Sequence, residues 1–101
     1  MEFNKLVRDK IPDIIKSQGE HPNFKILSEE KYLFELDRKL CEEMEEYQES
    51  KDLEEIADML EVIYAICQAR GHSLDELHKL QKEKYENRGA FSKKIFLISK
   101  E

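Results

Sequence analysis

The sequence predicts an all-α protein, an antiparallel helical bundle that has room for one short two-stranded β ribbon and that assembles as an oligomer. Three observations predict this class. Apolar residues recur at the helical period over two long segments. Only three Gly and two Pro interrupt the 101 residues, which form a single domain, residues 1–101. One helix is apolar nearly all round, more than one short chain can easily cover.

The composition excludes several classes of protein. The 17 Lys and Arg against 23 Asp and Glu leave a net charge of −6, which argues against a nucleic-acid polymer as partner. No apolar run is long enough to span a membrane. The first five residues lack the apolar core of a signal peptide, so a cytoplasmic location is expected. Cys41 and Cys67 are expected to be buried, reduced thiols.

The N-terminal quarter of the chain predicts little regular structure. Pro12 suits the first turn of a helix, so a short helix is expected over residues 12–17, ending near Gly19. Residues 24–27 and 95–98 are two β-prone runs far apart in the chain. They are each other's only comparable partner and would form the short ribbon.

Three longer helices follow. One is predicted from Ser28 to about residue 50 and a second over residues 52–70, where a glycine ends it. Ser73 and Glu76 have the spacing of a capping box, in which each side chain satisfies a free backbone N–H of the other. The third helix therefore begins there and runs to residue 87 or 88.

Acidic residues interrupt the apolar stripe of the first long helix. Glu43 falls inside that stripe and Glu46 lies at its edge. A carboxylate is costly to bury without a charged partner. One interpretation is that Glu43 lies at the frayed end of the stripe and reaches water. The other is that both acids belong to a site.

The second long helix favours a site. Its solvent face is a narrow polar stripe of Glu54, Glu61 and Gln68, and Glu55 and Asp58 lie off this stripe on a side that should be buried. The short connection makes the two long helices antiparallel neighbours, so all four acids can share one cleft. Mg²⁺ or Mn²⁺ is the usual way to relieve such repulsion, although a chance arrangement is the alternative.

Basic residues form two groups. Lys84 and Arg88 lie on the same line of the last helix as Leu77, the line that packs. They serve either as a clamp on phosphate groups or as favourable charges at a helix C-terminus. Lys5 and Arg8 belong to a basic run near the N-terminus, of a kind that is usually a solvated surface.

Two acidic motifs resemble those of a known family. Residues 42–46 match the pattern E-E-x-x-E, and residues 55–58 match E-x-x-D one helix later. Together they resemble the MazG-like, all-α nucleoside triphosphate pyrophosphohydrolases, which include phosphoribosyl-ATP pyrophosphohydrolases. Residues 4–12 resemble the opening of the small phosphoribosyl-ATP pyrophosphohydrolase-like members, and residues 88–91 resemble their R-G-x-F ending.

The resemblance implies the roles of individual residues. The implied metal ligands, which also carry catalysis, are Glu43, Glu46, Glu55 and Asp58. They are the same four acids that the helix geometry selects. Glu42 matches the first Glu of its motif and is expected to be a supporting residue. The family's basic pair corresponds to Lys84 and Arg88, which are expected to bind substrate phosphates together with Lys5 and Arg8.

The resemblance also implies an activity and an assembly. We expect a Mg²⁺-dependent enzyme, with Mn²⁺ as a substitute, that hydrolyses a nucleoside or deoxynucleoside triphosphate to the monophosphate and pyrophosphate. We expect a homo-oligomer, a dimer or a dimer of dimers. Lys82 stands where MazG itself has Asn, which leaves the base and sugar unassigned. The alternatives are a non-enzymatic helical oligomerisation module and a family member that binds nucleotides without turnover.

Overall fold

The structure, a computed structural model, describes residues 2–101 of the chain; Met1, the first residue of the predicted domain, lies outside them. The described part is all-helical, as the sequence predicts. Its four helices are α1 (Ile11–Ser17), α2 (Glu29–Ser50), α3 (Leu53–Ala69) and α4 (Leu74–Arg88). The predicted bounds agree with these to within one residue, because local signals determine them.

The predicted ribbon is wrong, since residues 2–101 contain no β-strand. Residues 24–27 and 95–98 remain unpaired, and Ile26 and Ile98 are exposed. A two-stranded ribbon is marginal in water unless another layer packs on one face. No helix of the described chain packs over both runs, so no apolar burial offsets the entropy lost when the long loop between them closes.

Side-chain caps begin two of the helices. The Ser28 hydroxyl accepts a hydrogen bond from the backbone N–H of Lys31 at 3.3 Å, at the start of α2. At α4 the capping box is complete: the Ser73 hydroxyl accepts from the Glu76 backbone N–H, and the Glu76 carboxylate accepts from the Ser73 backbone N–H, both at 3.1 Å. Each cap satisfies donors that a helix N-terminus leaves free.

The helices α2 and α3 form an antiparallel hairpin. Lys51 adopts the left-handed conformation, with φ of 61°, and its N–H donates to the Tyr47 carbonyl at 2.8 Å to end α2. Far from this turn, Arg70 lies 3.6 Å from Asp37. The apolar side chains buried between the described helices include Leu36 on α2 and Val62 on α3.

The helix α4 packs on α3 through a smaller contact. The His78 ring lies edge-to-face with the Tyr64 ring, with centroids 5.6 Å apart, and its Nε2 is 3.2 Å from the Tyr64 hydroxyl.

The wider bundle and the oligomer stay predictions. No helix in residues 2–101 combines the length and apolar character needed to cross a bilayer. Both cysteines are free, but Cys41 is exposed rather than buried, because it lies on the outer side of α2.

Candidate metal centre

Three carboxylates converge where α2 and α3 leave the turn that joins them. Glu43 lies two turns before the end of α2, and Glu55 and Asp58 lie in the first two turns of α3. One carboxylate oxygen from each lies within 4.8 Å of the others. The spacing of three residues places Glu55 and Asp58 on one face of α3, and the antiparallel pairing turns that face toward α2.

Glu43 is buried in this arrangement. Only 7% of the residue is exposed, so the interpretation that it reaches water at the frayed end of the stripe is wrong. Its Oε1 lies 3.5 Å from the Lys39 ammonium. Among the described residues no donor reaches its Oε2, nor the buried Oε2 of Glu55. Buried polar atoms are nearly always paired, so two orphaned oxygens on neighbouring carboxylates need an explanation.

The charges of the cluster oppose ionisation. Burial, followed by the negative charge of Glu46, raises the pKa of Glu43 above its ordinary value, while the Lys39 ammonium acts in the opposite direction. Removal from water and the charge of Glu46 likewise raise the pKa of Glu55. Both shifts have the sign expected where carboxylates share a site without enough positive charge.

Glu46, the fourth predicted ligand, is not one of the three converging carboxylates. It is exposed, although its charge affects both Glu43 and Glu55 and it is therefore their neighbour. Its position at the edge of the apolar stripe of α2 explains this difference from Glu43, which lies inside the stripe. Glu46 thus borders the cluster on the solvent side.

Cations from the N-terminal segment reach the acids. The Arg8 guanidinium donates a hydrogen bond to Asp58 Oδ1 at 2.7 Å. The Lys5 ammonium lies 3.9 Å from Glu42, the predicted supporting residue. The segment before α1 therefore folds against the helical hairpin. Lys5 and Arg8, which the sequence predicts as phosphate-binding residues, are paired here with carboxylates.

The structure does not bring the second basic pair to the acids through any described contact. The side chains of Lys84 and Arg88 are exposed and form no hydrogen bond or ion pair with other described residues. The groove beside α4 is lined by Leu77, His78 and Gln81 and stops short of them. Their predicted position on a packed face does not hold in the single chain, and their role in phosphate binding stays a prediction.

Lys39 contacts the acids although the sequence motifs do not include it. Its ammonium lies 3.6 Å from Glu42 and 3.5 Å from Glu43, at spacings of three and four residues on one helix. Such pairs are neighbours on any α-helix, so the signal was present in the sequence. The Arg8 contact with Asp58 joins residues 50 apart, and no local pattern indicates it.

The donor set suits a hard divalent cation. All three converging groups are carboxylates, and oxygen donors of this kind favour Mg²⁺ or Mn²⁺, whereas Zn²⁺ sites usually include His or Cys. The two orphaned oxygens supply the unsatisfied acceptors that such an ion would use. No protein-family model, no curated protein and no solved structure matches this chain.

Proposed function

We propose that this protein is a Mg²⁺-dependent hydrolase that cleaves a nucleoside triphosphate to the monophosphate and pyrophosphate. The observation that carries the proposal is the buried Glu43 carboxylate. Its Oε2 has no donor among the described residues, and it faces two further carboxylates within 4.8 Å. Lys39 offsets part of this charge, but burying three neighbouring carboxylates with one oxygen of Glu43 unsatisfied is still destabilising, and an apolar side chain there would serve stability better.

Glu43, Glu55 and Asp58 would hold the metal, and Glu46 would complete the set from the solvent side. Bound Mg²⁺ supplies positive charge that stabilises the oxygens of the transition state and of the leaving pyrophosphate. Water attacks the α-phosphorus, the bond to the bridging oxygen breaks, and pyrophosphate departs with its electron pair. One carboxylate of the cluster takes the proton from the attacking water as general base.

A surface cleft on the outer side of α2 offers room for a nucleotide. None of the three converging acids lines it, and Lys39, 3.5 Å from Glu43, links it to them. The cleft occupies about 510 Å³ between the N-terminal segment and α2, within the usual range for small-molecule sites. Its cations Lys5, Arg38 and Lys39 can attract phosphate groups, while four acids in the same lining oppose them: Glu35, Asp37, Glu42 and Glu45. The exposed Phe34 ring, also in its lining, offers an apolar face for a base. Lys84 and Arg88 remain candidates for further phosphate contacts.

The test is a panel of ribo- and deoxyribonucleoside triphosphates, each incubated with the protein and Mg²⁺ and scored for pyrophosphate release. We expect release with at least one nucleotide, and none when EDTA removes the metal. The matched controls are Glu43→Gln, which should abolish release, and Glu61→Gln, which alters an exposed acid of α3 and should preserve it. Release of orthophosphate without pyrophosphate would contradict cleavage at the α-phosphorus.

A second candidate function is a non-enzymatic helical interaction module. The contacts of Arg8 with Asp58 and of Lys39 with Glu43 favour it, since they neutralise part of the cluster without any metal. In this case the cations are permanent partners of the acids. The protein would then release no pyrophosphate from any nucleotide, and Mg²⁺ would leave its melting temperature unchanged.

A further inference from the structure

The single chain exposes far more surface than a compact protein of its mass. Its accessible surface is 9496 Å², whereas a compact monomer of 12.1 kDa exposes about 6,000 Å². Its radius of gyration is 17.9 Å, against about 13 Å for a compact domain of this length. The excess of roughly 3,500 Å² per chain exceeds the roughly 1,000–2,500 Å² that each subunit of an obligate dimer buries.

Much of this excess lies in the C-terminal segment, residues 89–101. Phe91 is 97% exposed and Ile98 is 93% exposed, and the three apolar residues before Ile98 are nearly as open. A turn closed by the Lys94 N–H and the Phe91 carbonyl, at 3.0 Å, directs the chain after α4. Every residue of the segment is exposed.

A complementary apolar surface is open on α3 and α4. Ile56, Leu60 and Ile63 form a stripe on α3, each between 39% and 44% exposed. The last two also line a groove of about 350 Å³ that continues along α4 at Leu77. The arm and the groove are therefore two unpaired apolar surfaces carried by the same chain.

We propose that the C-terminal segment is an exchange arm: residues 91–98 of one chain pack into the α3–α4 groove of a second copy, and the second copy returns the contact. When each chain places the same arm into the same groove of its partner, the result is a closed two-fold dimer. Charge favours this occupant, because residues 89–101 carry +2 and residues 1–88 carry −8. The excess accessible surface favours this occupant as well, since its area suffices for an intertwined interface.

The test compares the masses of full-length wild type and the double variant Phe96→Ser, Ile98→Ser in light scattering after dilution. We expect a wild-type dimer at micromolar concentration. Truncating a central apolar anchor of an interface weakens binding about 30-fold or more, so the variant should dissociate at a concentration at least that much higher. Ser99→Ala, an exposed change in the same segment, is the control and should remain dimeric.

Three results would overturn the exchange arm. These are a wild-type monomer, a double variant that dimerises like the wild type, and a variant that melts lower with no change in mass, which would mean that the arm packs on its own chain. Should the double variant not fold, a synthetic peptide of residues 89–101 added in excess to wild type decides the matter. Conversion of dimer to monomer supports the arm, and an unchanged mass refutes it. None of these readouts depends on metal or turnover.

Discussion

Two glutamates in this protein have opposite environments. Glu76 lies in the first turn of α4, where it accepts from the Ser73 N–H at 3.1 Å and lies 3.3 Å from the His72 ring. These contacts lower the pKa of Glu76. Glu43 is buried beside two other carboxylates, and burial raises its pKa. Glu76 therefore stabilises the helix it belongs to, whereas burial of Glu43 costs stability that binding of a cation would restore.

The strongest effect should be the loss of turnover when any of the four predicted metal ligands is neutralised. Glu43→Gln, Glu46→Gln, Glu55→Gln and Asp58→Asn should each lower kcat for pyrophosphate release roughly 100-fold or more, since even residues that merely support metal ligands contribute 10–100-fold. Glu54→Gln, an exposed neighbour on α3, is the matched control. Near-full activity in any three of the four would exclude the cluster as the catalytic site.

Stabilisation by Mg²⁺ should depend on Glu43 and not on Glu76. A free Mg²⁺ concentration 100 times Kd stabilises the folded state by about 2.7 kcal/mol, which raises Tm roughly 10–20 °C in a domain of this size. We expect this rise in wild type and in Glu76→Gln, and its loss in Glu43→Gln. Thermal melts with and without Mg²⁺ measure this rise. An equal rise in both variants would contradict a role of Glu43 in binding the metal.

Lowering the pH should change the contributions of Glu43 and Glu76 to stability in opposite directions. Because their pKa values are raised, Glu43 and Glu55 bind protons at a higher pH in the folded chain than in the unfolded one. These two groups therefore add stability to the metal-free protein as the pH falls from neutral toward about 4.3. Glu76, with its lowered pKa, contributes stability above that pH and loses it only below. Melting curves in EDTA across this range measure the slope. Glu43→Gln should flatten it, and a slope equal to that of wild type would contradict the raised pKa of Glu43.

The capping box should behave as a purely structural element. Ser73→Ala removes the hydroxyl that accepts from the Glu76 N–H, which lowers the free energy of unfolding by about 1 kcal/mol and Tm by roughly 4–8 °C. The rise in Tm with Mg²⁺ should be unchanged. Titration calorimetry with Mg²⁺ checks the second point, and weakened metal binding in Ser73→Ala would show that the two regions are coupled.

The smallest effect concerns Arg8, whose guanidinium lies 2.7 Å from Asp58. The pair is partly exposed, so Arg8→Gln should lower the stability of the metal-free protein by no more than about 1 kcal/mol. If Mg²⁺ displaces this cation, the variant should bind Mg²⁺ more tightly in calorimetry. Weaker binding would instead mean that Arg8 positions Asp58 for the metal. Lys16→Gln, an exposed cation on α1, is the control.

The helices were predictable because their signals are local. Ser28, Ser73 and the turn at residue 51 act within four residues of their own positions, and the structure has the helices at the predicted bounds. The ribbon was not predictable, because residues 27 and 95, where the two runs face each other in the sequence, are 68 positions apart (95 − 27), and pairing depends on a layer to pack against. The burial predicted for Cys41 failed similarly, since only the placement of neighbouring elements decides it.

By itself the sequence determined which acids share a helix face, because the 3.6-residue period assigns every side chain a direction before any packing occurs. It thereby singled out four acids, Glu43, Glu46, Glu55 and Asp58, of which three converge in the structure. Only the tertiary structure decided that Glu43 is buried and Glu46 exposed, and that Arg8 reaches Asp58. Burial and long-range ion pairs depend on how deeply two helices approach and where a distant segment lies, and these are properties of the assembled chain rather than of any local pattern.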